Sequence, residues 1–196
     1  SVLKGLKRLL CSAGFTSETF ASATEFLDRY DQNAAGCVIL DLAMPDFDGL
    51  QMQKALTERG SVLPIIFLTG HGDIATSVQA MKGGAVDFLT KPVNDEELLS
   101  AVRMAIQRCE VLYRAREEIA IIRRRVATLT PREREVLTHL LSGKLNKQIA
   151  ADLGTVEHTI KVHRARVMQK MQAHTLAALV RLAERAGIEA TPPTES

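Results

Sequence analysis

Three short apolar runs in the first half of the chain each end on a polar or charged side chain. Residues 37–40 lead into Asp41, 65–68 into Thr69, and 86–90 into Lys91-Pro92. Runs of this length bounded by turn signals suit strands buried on both faces of a parallel sheet. The stretches between them, about 20 residues each, are long enough for a crossover helix. Helical spacing occurs before, between and after the runs: 2–10, ending near Gly14; 23–30; 50–58; a helix capped by Asp73 that stops at Gly83-Gly84; and one from 95 to about 107, started by Asn94 and Glu97. Residues 15–20 have the composition of a short strand, and 44–49 read as a loop. The alternation predicts a doubly wound α/β domain.

From Leu112 the period changes. Leu112, Ala115, Ile119, Ile122, Val126 and Leu129 repeat at heptad spacing, with Arg116, Glu117, Arg123, Arg124 and Arg125 off the seam. This predicts a linker helix continuing from the previous one, either a coiled-coil seam or an amphipathic face lying on its own domains. Thr130-Pro131-Arg132-Glu133 is a capping box with proline at the first helical position. It opens an all-helical region of helices at about 131–142, 146–153, 156–171 and 175–186, with a frayed tail at 190–196. Within it, 148–153 form a short helix, Gly154 supplies a tight turn and Thr155 caps the next helix. The small Ala150 lets those two helices cross closely. At about 100° per residue, Val156, Ile160, His163, Val167 and Met171 share one face, assigned to the core. The opposite face carries His158, Lys161, Val162, Ala165 and Gln169, flanked by Arg164 and Arg166. Such a face suits a major-groove reader or the solvated side of a bundle.

Strands of a parallel sheet gather their carboxyl ends in one crevice. A carboxylate (Asp41), a hydroxyl (Thr69) and an ammonium (Lys91) are therefore brought together, a set suited to handling a phosphoryl group. Singly each has an ordinary reading, as a loop cap, a strand-end hydroxyl and a surface charge.

Composition adds limits. Of 196 residues, 46% are hydrophobic and 24% charged, as in an ordinary globular protein. No apolar stretch reaches membrane-spanning length and no leader pattern opens the sequence. Cys11, Cys37 and Cys109 have no metal-ligand spacing and read as reduced thiols of a cytoplasmic protein. The charge is divided: residues 1–105 hold 9 Lys+Arg against 13 Asp+Glu, giving −4, and residues 106–196 hold 16 against 10, giving +6. The second part is the candidate for nucleic acid.

The segments 40–45 with Gly49, 67–70 and 88–92 resemble the receiver domain of two-component response regulators, and His71-Gly72-Asp73 resembles its FixJ-type branch. The segments 130–137, 146–150 and 159–163 resemble the LuxR/NarL-type DNA-binding domain. The resemblance implies a flavodoxin-like α/β receiver at 1–105, a linker helix at 106–129 and a four-helix LuxR-type helix-turn-helix domain at 130–189, with its helix-turn-helix at about 147–166. It also implies a cytoplasmic, phosphorylation-dependent transcriptional regulator rather than an enzyme acting on other substrates. Asp41 would accept the phosphoryl group from a sensor histidine kinase or a small acyl phosphate. Mg²⁺ would be held by Asp41 and the Ala43 carbonyl, Thr69 and Lys91 would bind phosphoryl oxygens, and Phe88 would be the switch aromatic. Lys91-Pro92 is a candidate cis peptide. Lys161, Val162 and Ala165 match base-reading positions. Lys147, Thr155, Thr159 and Arg166 match phosphate-holding ones, and His158 shares the outer face of Lys161, Val162 and Ala165. The implied partners are double-stranded promoter DNA, a second copy on phosphorylation and RNA polymerase, with no membrane.

The family's first strand, and the acidic pair after it that supplies most Mg²⁺ ligands, have no counterpart before the first helix. In strand order 2-1-3-4-5 that strand is central, so the sequence is expected to begin roughly a dozen residues inside the domain. Three other readings stay open: a phosphorylation-independent DNA-binding regulator with a degenerate or truncated receiver, a phosphatase using Asp41, and an adaptor whose second domain binds protein.

Overall fold

The computed structural model describes residues 2–31, 34–44, 48–70 and 74–189. The cap assigned to Asp73, residues 45–47 of the 44–49 loop and the tail 190–196 lie outside the described residues. The chain divides into two compact units, Ser1–Arg114 and Ala115–Ser196.

The first unit runs α1 (Val2–Ser12), α2 (Ala23–Arg29), β1 (Val38–Asp41), α3 (Gly49–Glu58), β2 (Ile65–Thr69), α4 (Ile74–Lys82), β3 (Asp87–Thr90) and the start of α5 (Asp95–Ala127). The apolar runs become the strands because their side chains are buried on alternating faces. The described sheet is parallel in the order β1-β2-β3, with Asp41 opposite Leu68 and Thr69 opposite Thr90. On one face Val38, Leu40, Ile65 and Phe67 pack with Met52, Leu56 and Ala80. On the other, Ile66 and Leu68 pack with Leu10 of α1 and Leu98, Ala101, Val102 and Ala105 of α5. Helices thus cover both faces, which is the doubly wound arrangement. All five residues of β2 are buried.

Residues 15–20 do not form the expected strand. A strand needs a neighbour to complete its hydrogen bonds, and no described strand runs beside this segment. Its side chains pack locally instead: Phe20 meets Phe26 edge-on at 5.1 Å, and Arg29 lies over the Phe20 ring and bonds Glu18 at 2.8 Å. The cysteines are free. Burial, and secondarily Cys109, push the Cys37 thiol up to about 11.

Asn94 starts α5 by accepting from the N–H groups of Glu96 and Glu97 at 2.9 and 3.2 Å. The expected linker helix is the continuation of α5 to Ala127. Its heptad seam is not uniform. Leu112 is 39% exposed, whereas Ile122 and Leu129 are 3% and 4% exposed and belong to the core of the second unit. The C-terminal half of the seam is therefore consumed by packing on its own domain.

That second unit adds α6 (Pro131–Leu141), α7 (Asn146–Asp152), α8 (Glu157–Met171) and α9 (Leu176–Ala186). The capping box is present: Glu133 N–H donates to Thr130 Oγ1 at 3.3 Å and Thr130 N–H donates back to Glu133 Oε2 at 2.9 Å. Val136, Leu137, Leu140, Ile149, Ile160, Val167, Met171 and Leu179 fill the core. Two expectations at the start of α8 are corrected. The N-cap is Val156, in extended conformation and without a side-chain cap bond, so Thr155 is not the cap. Val156 is 65% exposed rather than core, because helical phase begins only at Glu157. His163, assigned to the core face, is half-buried, and its Nδ1 has no hydrogen-bond partner among the described residues.

Candidate functional site

Parallel register carries the reactive groups to one end of the sheet. Asp41 is the last residue of β1, Thr69 the last of β2, and Lys91 follows β3 directly. The backbone locks these ends together, with Leu42 N–H donating to Leu68 O at 2.9 Å and Lys91 N–H to Thr69 O at 2.7 Å. The Lys91 ammonium forms an ion pair with Asp41 Oδ2. Asp41 Oδ1 accepts the Ala43 N–H at 3.2 Å. The Asp41 side chain keeps 40% of its surface open, so an incoming group can reach it. Thr69 is only 2% exposed. Lys91-Pro92 is cis. Phe88 is half-buried, with its ring 6.4 Å from that of Phe67.

The packing around Gly49 leaves no room for a side chain. A Cβ at this position would lie 3.0 Å from Phe67 Cε1, 3.1 Å from Leu42 Cα and 3.2 Å from the Asp41 carbonyl oxygen. Gly49 N–H also donates to Leu42 O at 3.3 Å, closing the base of the loop after Asp41. The next residue back, Asp48, caps α3 in a capping box with Gln51.

As candidate cation donors at this strand end, the chain has the Asp41 carboxylate and, two residues on in sequence, the Ala43 carbonyl. Both are hard oxygen donors of the kind Mg²⁺ takes. No cluster of His, Cys, Asp or Glu able to hold a metal occurs among the described residues. The donors present thus fit Mg²⁺ in kind.

In the second unit, α7 ends at Asp152 with Leu153 as its C-cap, Gly154 turns at φ +61°, and α8 follows. His158, Lys161, Val162, Ala165 and Arg166 of α8 and Lys147 of α7 are exposed, while Thr155 and Thr159 are half-buried. Lys161 pairs with Glu157 one turn earlier at 3.2 Å. Arg164 turns inward, and its Nη1 donates to Asn146 Oδ1 at 3.2 Å, bracing α8 on α7. Sequence reasoning missed three further braces. Arg132 Nη2 donates to Leu153 O at 2.6 Å, at the turn itself. Lys144 bonds Asp152 at 2.7 Å and holds that carboxyl below its ordinary range. Lys170 bonds Glu133 at 2.6 Å, and this bond, followed by that from Thr130 N–H, lowers the Glu133 carboxyl. The capping box foretold Glu133's bond to Thr130. Nothing local foretold a lysine 37 positions away.

An α/β unit presenting carboxylate, hydroxyl and ammonium at its strand ends, followed by a helix-turn-helix bundle, defines a response regulator with a DNA-binding output domain. The chain belongs to that family. The response regulator receiver domain matches residues 1–103, and the LuxR family of bacterial regulatory proteins matches residues 127–183. It is 43% identical to the response regulator protein TodT of Pseudomonas putida over 94% of this chain and 82% of that one. It is 45% identical to the transcriptional regulatory protein FixJ of Bradyrhizobium diazoefficiens over 93% of this chain and 89% of that one. Among solved structures, it matches response regulator StyR with a TM-score of 0.79 at 43% identity, covering 93% of this chain and 92% of that chain. Full-length FixJ from B. japonicum matches with a TM-score of 0.54 at 43% identity, covering 95% and 92%. No described helix is long and apolar enough to cross a membrane.

Proposed function

We propose that Asp41 is the phosphoryl acceptor through which a sensor histidine kinase controls DNA binding by this chain. The observation that carries this is the convergence of Asp41 and Lys91 at adjoining strand ends, in direct ion pairing. An Asp41 oxygen attacks phosphorus of a phosphohistidine or small acyl phosphate, the bond to the donor breaks, and an aspartyl phosphate forms. Lys91 then exchanges its carboxylate partner for a phosphoryl oxygen, and Thr69 binds another. The work done is positioning and charge compensation. Receiver domains generally bind Mg²⁺, which supplies further charge compensation when bound; here Asp41 and the Ala43 carbonyl would hold it.

Movement of Thr69 toward the phosphoryl group vacates space for Phe88 to turn inward, reshaping the surface of α4 and β3. Two copies then pair in the cytoplasm and place two α8 helices on paired half-sites of promoter DNA. Pairing matters because a linked second module binds at high effective concentration. Lys161, Val162 and Ala165 read base edges, with Ala165 suited to a thymine methyl. Lys147, Thr155, Thr159 and Arg166 hold phosphates and fix the register, with His158 beside them. Bound in this way, the regulator acts on RNA polymerase.

The test is anisotropy with promoter duplex, with and without a small acyl-phosphate donor, on the wild type and Asp41→Asn. The wild type should bind more tightly when phosphorylated. Asp41→Asn should lose both the acid-labile phosphate and the response while keeping its fold. Label retained in that variant, or equal affinity in both wild-type states, would refute the assignment.

A further inference from the structure

Three bonds fasten the last turn of α8 to the end of α5, the start of α6 and the turn between them. The Lys170 ammonium lies 2.6 Å from Glu133 Oε2 and donates to the Thr128 carbonyl at 3.1 Å. Arg125 Nη1 donates to the Met171 carbonyl at 3.3 Å. The Glu133 side chain is 3% exposed, that of Lys170 33%. A carboxylate this buried is stable only when its lone pairs are met, and Glu133 Oε2 is met from two sides, by Lys170 and by the Thr130 N–H at 2.9 Å. A cation in the last turn also opposes the negative end of the helix dipole.

These contacts lie on the side of α8 away from its outer face. At about 100° per residue, Lys170 stands about 180° around the helix from Lys161. Lys170 is thus spent inside its own domain, although by composition it is one more basic residue on a basic helix. Its partners sit at the α5–α6 junction, so the bonds fix the rotation and tilt of α8 relative to the entry of the bundle. A helix held at its middle, by Arg164 on Asn146, and in its last turn, by Lys170 on Glu133, presents its outer side chains in one orientation.

We propose that Glu133 and Lys170 are positioning residues for sequence reading: they orient α8 so that its outer face meets base edges in register, without touching DNA. This rests on α8 being the reading helix. A hydrogen bond to a base edge depends on orientation, whereas attraction to phosphate hardly does. Loss of the pair therefore lowers discrimination between sequences more than it lowers binding to duplex in general.

Glu133→Gln tests this with a sign. Its amide oxygen can still accept from Thr130, but the ion pair is gone and the chain gains one unit of positive charge. If charge alone mattered, the variant would bind every duplex more tightly. The full chain is titrated against the duplex that the wild type selects from a random pool and against a scrambled duplex, at several salt concentrations. The expected result is a fall of about tenfold in the selected-to-scrambled ratio, the worth of about one base contact, with the salt slope unchanged. Lys170→Arg, which can span the same partners with Glu133 intact, should keep most of the ratio.

Tighter binding of both duplexes by Glu133→Gln with the ratio intact would overturn the proposal. So would a drop of about one in the salt slope of Lys170→Gln, since that marks a phosphate contact. Lys161→Ala separates the two readings. If it keeps the ratio, α8 is not the reader and the pair's role falls with it. If it loses the ratio while Glu133→Gln keeps it, the pair alone is refuted. Thermal unfolding confirms folded variants, and should Glu133→Gln not fold, Lys170→Gln decides by the same ratio.

Discussion

At Gly49 a hydrogen in place of a methyl group decides how closely α3 approaches the end of β1. Two of the three atoms that a Cβ would crowd, Leu42 Cα and the Asp41 carbonyl oxygen, are backbone, and only Phe67 could turn aside. Gly49→Ala should therefore displace the loop after Asp41, and overpacking of this kind costs about 1–3 kcal/mol. The expected outcome is a lower denaturant midpoint for the first unit together with slower labelling by an acyl phosphate. An unchanged midpoint and rate would show that the loop yields freely. Asp41, Thr69 and Lys91 were legible in the sequence because each closes an apolar run, and a parallel sheet turns run endings into neighbours. The inward turn of Arg164 and the burial of Glu133 beside Lys170 were not legible, since each depends on a partner brought from another helix. Thr155 and Val156 were misplaced by a single residue of helix start, enough to exchange a cap for an exposed side chain.

Among the elements, α5 shows how one periodic signal can serve two environments. Its seam reads as a uniform heptad, yet Leu112 is 39% exposed while Ile122 is 3% exposed within the helical core. Periodicity states which face is apolar and leaves open what covers it. Truncation should separate the two halves. Ile122→Ala leaves a cavity and should destabilise the second unit by about 2–5 kcal/mol. Leu112→Ala should stay within about 0.5 kcal/mol, as surface substitutions do. Denaturant unfolding followed by helical circular dichroism measures both, and equal losses would place Leu112 in a covered seam. The three strands of the sheet and the caps at Asn94 and Thr130 were read well because burial on alternating faces and N-cap chemistry are local. The segment 15–20 failed because strand propensity is realised only beside a partner.

For the whole molecule, the net charge of +2 conceals the feature that matters, the division into −4 over residues 1–105 and +6 over residues 106–196. Binding to duplex releases counterions, so log K falls with log salt by about 0.9 for each phosphate neutralised. Lys147 and Arg166 are the cations proposed to hold phosphates in each module, and both are exposed. One module should thus give a slope of about −2, and two modules on paired half-sites about −4. If phosphorylation of Asp41 works by bringing two copies onto DNA, adding an acyl-phosphate donor should roughly double the slope as well as raise the affinity. If it instead frees a masked face on a single copy, affinity rises and the slope stays the same. A titration of wild-type chain on one promoter duplex over several salt concentrations, with and without donor, distinguishes them. Lys147→Ala sharpens the reading: it should flatten the slope by about one without donor and by about two with it. Equal flattening in both states would mean that one module binds throughout, and pairing would not be the step that phosphorylation controls.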